Sequence, residues 1–369
     1  MDHVIKKPTL LIKQHQVIEN IKKMKKKADN NNILLRPHFK THQSVTVGEW
    51  MKHEGIKHIT VSSVTMAQCF ANYGWDDITI AFPINVREIE EINILAKKVR
   101  LNLLMEDETI FEILETELHT DVNVWIKIDV GANRTGILWD NIEGILTLAK
   151  KIINSKRLKL RGILSHAGQS YYVKGKDKLE KIHIETLQRM KKIKAEIKET
   201  LNVDLAISIG DTPTLSTTEI IEGVNEIRPG NFVYYDISQL TIGSCKEEDI
   251  ALAVACPIVA KHTERGEIVI YGGAIHLSKD YIEIEEGVKS YGRVCYYQQD
   301  QGWSKSIVKS FVKSLSQEHG IVKVSQEVME NVSIGDLLVI LPIHACLVVS
   351  LANISYTTNL EKVIHCKEV

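Results

Sequence analysis

The chain has 369 residues, 44% of them hydrophobic and 25% charged, which is enough apolar material for one large domain and a smaller one. Its 46 Lys and Arg residues balance its 47 Asp and Glu residues, and the net charge of −1 argues against a surface built to bind nucleic acid. The sequence has no apolar run long enough to span a membrane, so we expect no membrane partner.

The N-terminus and the cysteines indicate the compartment. The first residues lack the apolar stretch of a signal peptide, and the six cysteines are scattered without the spacing of a disulfide framework. We therefore expect a cytoplasmic protein without a disulfide scaffold. The lysine run at residues 22–27 has the composition of a nucleic-acid patch. However, Ile18, Ile21 and Met24 recur around it at helical spacing, so we interpret it as the solvated face of a helix.

Short β-branched segments alternate with longer amphipathic segments over the first two thirds of the chain. The predicted strands are residues 33–35, 59–62, 78–82, 101–105, 122–129, 158–165, 205–209 and 226–233, with helical patterns such as 86–98, 142–153 and 176–200 between them. Eight such alternations match a (β/α)8 TIM-type barrel, although a doubly wound open sheet would satisfy the same pattern.

Residues capable of chemistry follow most of these strands, and this favours the barrel. They are His38 and Lys40 after the first strand, Asn85 after the third, Arg134 after the fifth, His166 after the sixth, Gly210, Asp211 and Thr212 after the seventh, and Gly230 and Asn231 in the eighth segment. The carboxyl ends of barrel strands converge on one mouth, where the active sites of this architecture lie.

The pattern changes after about residue 243. Residues 250–262, 267–275, 320–324 and 336–350 are predicted strands with few helices between them. We therefore predict an α/β fold in two parts: a barrel over residues 1–243 and a C-terminal β-rich domain over residues 244–369. The first ten or so residues are free to join the second part.

Lys40 lies in the segment RPHFKTH, residues 36–42, which follows the first predicted strand. Partial burial and cationic neighbours make such an amine available for a Schiff base, but a surface lysine after a strand has the same pattern. Barrels often bind phosphate in the loops after strands seven and eight. Here those loops contain Gly210, Thr212 and Gly230, so the sequence predicts a phosphate site opposite Lys40.

His344 and Cys346 lie in the last long apolar run. On a strand, residues two positions apart point to the same face, so the imidazole and the sulfur would lie side by side. Nitrogen and thiolate ligands suit Zn²⁺, although both residue types also bury readily in strands without a metal. Two protein ligands would leave positions open for water and substrate, as in catalytic zinc sites.

The segment RPHFKTH resembles the cofactor-lysine motif of the D-threonine aldolase and D-serine dehydratase family, an alanine-racemase-like branch of the fold-type III pyridoxal-phosphate enzymes. The resemblance continues in order along nearly the whole chain. Its further segments are KPTLL (7–11), DVGANRTG (129–136), GILSH (162–166), GDTPT (210–214), RPG (228–230) and PIHAC (342–346).

This resemblance implies a role for each matching residue, and it also implies a homodimer. Lys40 would carry pyridoxal 5'-phosphate, His166 would stack on its ring, Arg134 would lie nearby, Thr212, Gly230 and Asn231 would hold the phosphate, and His344 and Cys346 would bind zinc. Tyr171 either lines the substrate pocket or packs at the barrel rim. Arg228 resembles the arginine that meets the pyridine nitrogen in alanine racemases, where it weakens the electron sink.

The metal pair indicates a substrate with a β-hydroxyl group, because a Lewis acid stabilises the charge that develops on that oxygen. We predict a pyridoxal-phosphate- and metal-dependent lyase that converts D-serine or D-threo-3-hydroxyaspartate to an oxo acid and ammonia. D-threonine aldolase is an alternative, since the same metal favours retro-aldol cleavage. Arg228 fits an amino acid racemase, but residues 272–280 contain no matching tyrosine motif. A non-catalytic pyridoxal-phosphate homeostasis protein would usually lack the second domain.

Overall fold

A computed structural model of the chain describes residues 5–219, 221–299 and 301–368. The chain begins with strand β1 (Thr9–Ile12) and helix α1 (Gln14–Asn30) and then builds a sheet of eight parallel strands. In chain order, the strands of this part are β2 (Leu34–Leu35), β3 (Ile59–Val61), β4 (Asp77–Pro83), β5 (Arg100–Met105), β6 (Val122–Asp129) with the short β7 (Ile137–Leu138) beside it, β8 (Leu158–Ser165), β9 (Ala206–Ile209) and β10 (Glu226–Ile227).

The eight strands close into a barrel. They pair in the order β2, β10, β9, β8, β6, β5, β4, β3, and a parallel bridge between His38 and Thr60 joins the chain after β2 to β3. A doubly wound sheet would keep two open edges, so the barrel prediction is confirmed.

Amphipathic helices surround the barrel. They are α2 (Val45–His53), α3 (Val64–Asn72), α4 (Ile89–Ala96), α5 (Glu108–Glu117), α6 (Ile142–Ile153), α7 (Lys176–Leu201), α8 (Thr212–Thr217) and α9 (Ile237–Ile242). In α1, Val17, Ile21 and Met24 form the buried face, while Lys23 and Lys25 make ion pairs at the surface. The lysine run is thus the solvated face of a helix.

A second, mostly antiparallel sheet follows the barrel. Its elements are β11 (Leu252–His262), β12 (Glu267–Tyr271), α10 (Ala274–Leu277), the separate hairpin β13 (Ile282–Glu285) and β14 (Val288–Ser290), β15 (Gly292–Gln298), β16 (Gly302–Trp303), β17 (Phe311–Leu315), β18 (His319–Lys323), α11 (Gln326–Asn331), β19 (Leu337–Pro342), α12 (Ala345–Leu351) and β20 (Ser355–Thr357). The strand order is β12, β18, β17, β15, β19, β11, β1, β20, so β1 belongs to this sheet and the chain then crosses to the barrel. The predicted β-rich C-terminal part is confirmed.

Three predicted strands are too long. The segment 267–275 is a strand only over β12, because the chain turns after Tyr271 and α10 begins at Ala274. The segment 226–233 is a strand only over β10, because Pro229 has no N–H to donate and the chain turns at Gly230. The prediction of one strand over 336–350 is wrong, since β19 ends at Pro342 and α12 follows it. His344 and Cys346 therefore flank the first residue of a helix instead of sharing a strand face.

One disulfide joins parts of the chain that are far apart in sequence. Cys69 in α3 pairs with Cys366 in the C-terminal turn, 297 residues away. The scattered cysteines predicted no disulfide scaffold, and this one disulfide was not predictable because a single pair at this separation has no spacing signal. The disulfide attaches the C-terminal tail to the barrel.

Candidate active site

Lys40 lies half-buried in a turn at the mouth of the barrel. The backbone N–H groups of His38 and Phe39 donate to the carbonyls of Pro229 (2.9 Å) and Thr60 (2.8 Å). The turn is thereby attached to the segments that follow β10 and to β3, on either side of it. The Phe39 side chain is fully buried in the hydrophobic core and thereby anchors the turn.

We call residues 38–43, which carry Lys40, the lysine turn. It ends at Gln43, whose backbone is left-handed with φ of 45°. Its N–H donates to the Phe39 carbonyl (2.8 Å), and its side-chain amide donates to the Lys40 carbonyl (3.1 Å) and to Ser350 Oγ in α12 (2.7 Å). Its own carbonyl accepts from the N–H of Cys366 (2.8 Å). The lysine turn is therefore bound to α12 and to the C-terminal tail.

The predicted phosphate-binding residues come together beside the lysine turn. The N–H groups of Gly230 and Asn231 donate to Thr212 Oγ1 at 3.3 and 3.0 Å. A Cβ added at Gly230 would lie 3.0 Å from the His38 carbonyl and from Thr41 Oγ1, so glycine is needed for this close approach. The side-chain carbonyl oxygen of Asn231 is buried and has no hydrogen-bond partner among the described residues.

His166 and Tyr171 lie next to the predicted phosphate-binding residues, with their ring centroids 6.0 Å apart. His166 Nδ1 donates to the Gly210 carbonyl, which leaves Nε2 with a lone pair. Burial, with the charge of Lys40, holds the pKa of His166 well below its ordinary value, so the ring is neutral. The Tyr171 hydroxyl oxygen accepts from the Thr212 N–H (3.3 Å), and burial raises its pKa. Tyr171 therefore remains protonated at neutral pH.

The two predicted arginines have different environments. Arg228 is 4% exposed, and its Nε donates to Ser208 Oγ (2.7 Å) while Nη2 donates to the Ser165 carbonyl. Burial lowers the pKa of Arg228 to about 10, so it remains a cation. Arg134 is exposed in the loop after β6, and its charge adds to burial in lowering the pKa of His166.

The pair His344 and Cys346 meets the lysine turn of its own chain. The Cys346 thiol donates to Oγ1 of Thr41, the residue after Lys40, at 3.3 Å. The pair and the candidate cofactor lysine therefore lie together within one chain.

Each member of this pair changes the ionisation of the other. Burial alone would lower the pKa of His344. Its hydrogen bond to Cys346 and the negative charge of the Cys346 thiolate instead raise that pKa to about 9. Burial opposes ionisation of Cys346, but His344 lowers its pKa overall. The thiolate is the form of cysteine that binds metals. Within residues 5–219, 221–299 and 301–368 no group of three or more His, Cys, Asp or Glu side chains could hold a metal ion.

Three site residues were not singled out from the sequence. For Lys127 the available signal was a charged residue inside the apolar strand β6. Its Nζ donates to the Ile128 carbonyl (2.8 Å), and burial lowers its pKa to about 8. Asp280 lies in a loop that gives no sequence signal, yet its carboxylate is 2.8 Å from His344 Nδ1. Asp236 is fully buried and accepts from the first N–H of α12.

Comparison with known families agrees with this architecture. Residues 12–237 match the family model described as "Alanine racemase, N-terminal domain", and residues 251–358 match the model described as "Putative serine dehydratase domain". The first match alone spans more than half of the chain. The chain belongs to the alanine racemase N-terminal domain family. This membership confirms the alanine-racemase-like resemblance predicted from the sequence.

Two dehydratases are similar to this chain over most of its length. D-threo-3-hydroxyaspartate dehydratase of Delftia sp. (strain HT23) is 27% identical over 354 residues, which cover 92% of this chain and 90% of the relative. D-serine dehydratase of Dictyostelium discoideum is 29% identical over 294 residues, covering 74% of each chain.

Solved structures show the same fold. The structure of the Delftia dehydratase has a TM-score of 0.88 and 25% identity, with 97% of each chain covered. Two further structures of D-threo-3-hydroxyaspartate dehydratase are variants, a Cys-to-Ala mutant "in the metal-free form" and a His-to-Ala mutant, and the replaced residues are two positions apart. D-threonine aldolase from Filomicrobium marinum has a TM-score of 0.84 at 17% identity, with 97% of this chain and 94% of that chain covered, a likeness of fold alone. In the described part of this chain, no helix has the length and apolar character needed to cross a membrane.

Proposed function

We propose that this family member is a pyridoxal-phosphate- and metal-dependent lyase that dehydrates D-serine or D-threo-3-hydroxyaspartate to an oxo acid and ammonia. The contact between Cys346 and Thr41 carries this proposal, because it joins a metal-type pair to the turn of the candidate cofactor lysine. The names of the relatives similar over most of the chain support the substrate class.

The residues around Lys40 fit pyridoxal phosphate. The unpartnered carbonyl oxygen of buried Asn231 and the close approach at Gly230 are features of a polar cradle that a ligand would complete. The residues that would hold the cofactor are Lys40 through its amine, Thr212, Gly230 and Asn231 at the phosphate, and His166, Arg134 and Arg228 around the ring. When bound, pyridoxal phosphate delocalises the negative charge left on Cα of an amino acid.

The pair His344 and Cys346 fits a divalent metal, for which we propose Zn²⁺. An imidazole nitrogen and a thiolate suit zinc, and the Asp280 carboxylate at Nδ1 leaves Nε2 of His344 as the ligand atom. The spacing of the pair equals that of the residues replaced in the variant dehydratase structures. When bound, the ion acts as a Lewis acid toward the β-oxygen of the substrate.

The chain's own groups would supply proton transfer and orientation. We assign the transfer of the Cα proton to Lys40 Nζ, since it is the amine at the centre of the cluster. His166 stays neutral because burial and the charge of Lys40 lower its pKa, and its Nδ1 proton is donated to the Gly210 carbonyl. Tyr171 offers a protonated hydroxyl. Buried Arg228 disfavours a proton on the pyridine nitrogen, so the chemistry would depend strongly on the metal at the β-oxygen.

Product analysis tests this proposal. Pure protein is incubated with D-serine, D-threonine and D-3-hydroxyaspartate, with and without chelator, and assayed for oxo acid, ammonia, aldehyde and the L-enantiomer. We expect oxo acid and ammonia, and their loss on chelation. Aldehyde with glycine would support an aldolase instead, and the L-enantiomer alone would contradict both lyases.

Substitutions test the residues. Lys40→Ala should abolish the borohydride-reducible visible absorbance and lower kcat at least about 10²-fold, whereas Lys178→Ala on the surface of α7 should change neither. Cys346→Ala should lose metal-dependent activity, with Cys245→Ala as its free-thiol control. Full activity of Cys346→Ala after metal removal would contradict the metal site.

We further propose a homodimer whose chain divides at residues 1–243 and 244–369, with the first residues joining the second part. The disulfide between Cys69 and Cys366 argues against the cytoplasmic location expected from the cysteine pattern, because disulfides are rare in a reducing compartment. The exposed apolar side chains of Ile275, Leu347 and Leu351 on α10 and α12 support a subunit interface. The pairing of β1 with β11 and β20 supports the assignment of the N-terminus. Light scattering that gives the mass of one chain would contradict the dimer.

A further inference from the structure

Asp236 has a local role that many polar residues could fill. It is the N-cap of α9, and its Oδ1 accepts from the backbone N–H of Gln239 at 2.9 Å. Serine caps helices about as well as aspartate. A cap alone therefore does not require a carboxylate, yet Asp236 is a fully buried acid, and burying an acid is costly unless it is well bonded.

The second oxygen of Asp236 makes two contacts outside α9. Oδ2 accepts from the side-chain amide of Asn231 at 2.6 Å and from the backbone N–H of Ala345 at 2.9 Å. Ala345 lies between His344 and Cys346. Since α12 has no side-chain cap of its own, Asp236 supplies an acceptor for the first N–H of that helix from a distant part of the chain.

Asn231 continues this connection into the proposed phosphate site. Its N–H donates to Thr212 Oγ1 (3.0 Å), and its side-chain amide also lies 3.9 Å from Cys346 Sγ. A continuous path therefore runs from Thr212 through Asn231 and Asp236 to Ala345. Each step on this path is a hydrogen bond within one chain.

We infer that Asp236 is a positioning residue. It holds His344 and Cys346 at a fixed position relative to Asn231 in the proposed phosphate site, and it thereby sets the affinity of this pair for metal. The inference rests on the proposed function. Three N–H donors converge on Asp236, from Gln239, Asn231 and Ala345. A carboxylate can accept from all of them, whereas an amide would turn its own NH₂ toward at least one donor.

Two substitutions separate the bridge from the cap. Asp236→Ser keeps a good N-cap for α9 but is too short to reach Ala345 as well. Asp236→Asn keeps the shape but loses the charge and at least one acceptor. The matched control is Asp107→Asn, because Asp107 caps α5 by accepting from Thr109 N–H (2.7 Å) and is exposed at the surface.

The readout is zinc affinity, measured by competition with a chromophoric chelator on the protein loaded with pyridoxal phosphate. We expect the zinc Kd of both Asp236 variants to rise about 10- to 100-fold, the usual effect of losing a residue that orients metal ligands. Asp107→Asn should keep the wild-type zinc Kd. Excess zinc should restore much of the activity of the variants, which a purely structural defect would not allow.

Two results would overturn the inference. A folded Asp236→Ser or Asp236→Asn protein with the zinc Kd of wild type would contradict it while leaving the proposed function intact, provided that Cys346→Ala loses zinc. Zinc binding that Cys346→Ala does not weaken would instead remove the metal site on which both proposals depend.

Discussion

Lys127 shows how the barrel interior changes the chemistry of a single residue. It lies in β6 with 5% of its surface exposed, and its Nζ donates to the carbonyls of Ile128 and Thr135. Burial is the largest cause of its low pKa of about 8, and the charge of Arg228 adds to it. An amine in this environment is partly neutral near pH 8.

The pKa of Lys127 predicts a pH-dependent stability. The folded pKa of about 8 lies below the ordinary value of 10.5, so between these values the unfolded chain binds more protons and stability rises with pH. Below pH 8 the buried charge costs about 3 kcal/mol. Lys127→Met should therefore flatten the rise in unfolding free energy between pH 8 and 10.5, as measured by urea unfolding. Lys178→Met on the surface of α7 is the control, and equal slopes in both variants would contradict the prediction.

At the scale of elements, the C-terminal tail acts as a brace across the site. The N–H of Val45 donates to the Ile364 carbonyl (3.0 Å), the N–H of Cys366 donates to the Gln43 carbonyl, and Lys367 Nζ donates to the Ala352 carbonyl after α12. The tail thus contacts both the lysine turn and the C-terminal end of α12, the helix that contains Cys346. The disulfide to Cys69 holds it there.

Removing the disulfide should loosen this brace. We expect Cys69→Ser to lower the free energy of unfolding by roughly 2–5 kcal/mol, because a long loop is no longer closed in the unfolded chain. Thermal unfolding under non-reducing conditions measures the change, and Cys245→Ser, which removes a free thiol, should leave the Tm near that of wild type. An equal Tm for wild type and Cys69→Ser would show that the tail is held by its hydrogen bonds alone.

The sequence predicted elements best where local pattern and burial agree. The strands at 122–129 and 158–165 and the helix at 142–153 have the predicted bounds, since their apolar periodicity is uninterrupted. The strand predicted through His344 was wrong because Asp236 caps α12 from 109 residues away in sequence. No local pattern contains such a contact. For the same reason, the lysine turn was predictable but its attachment to the tail was not.

At the scale of the whole molecule, the proposed site is built from both sheets. The lysine turn belongs to the barrel, whereas α12 follows β19 of the second sheet. Contacts that join them are Cys346 with Thr41, Asp236 with Ala345 and Gln43 with Ser350. A ligand that binds across such a boundary stabilises the two parts together, because binding requires both to be folded. The affinity for metal and the stability of the boundary are therefore linked quantities.

Zinc should consequently stabilise the barrel as well as the sheet that carries its ligands. At about 100 times its Kd, zinc should add about 2.7 kcal/mol to the free energy of unfolding. We expect calorimetry of the wild-type protein loaded with pyridoxal phosphate to show the barrel transition moving to higher temperature on zinc addition. In Cys346→Ala it should not move, because the thiolate ligand is gone. If zinc shifted only a separate transition of the second sheet, the contacts made by Asp236 and Thr41 would be too weak to couple the two parts.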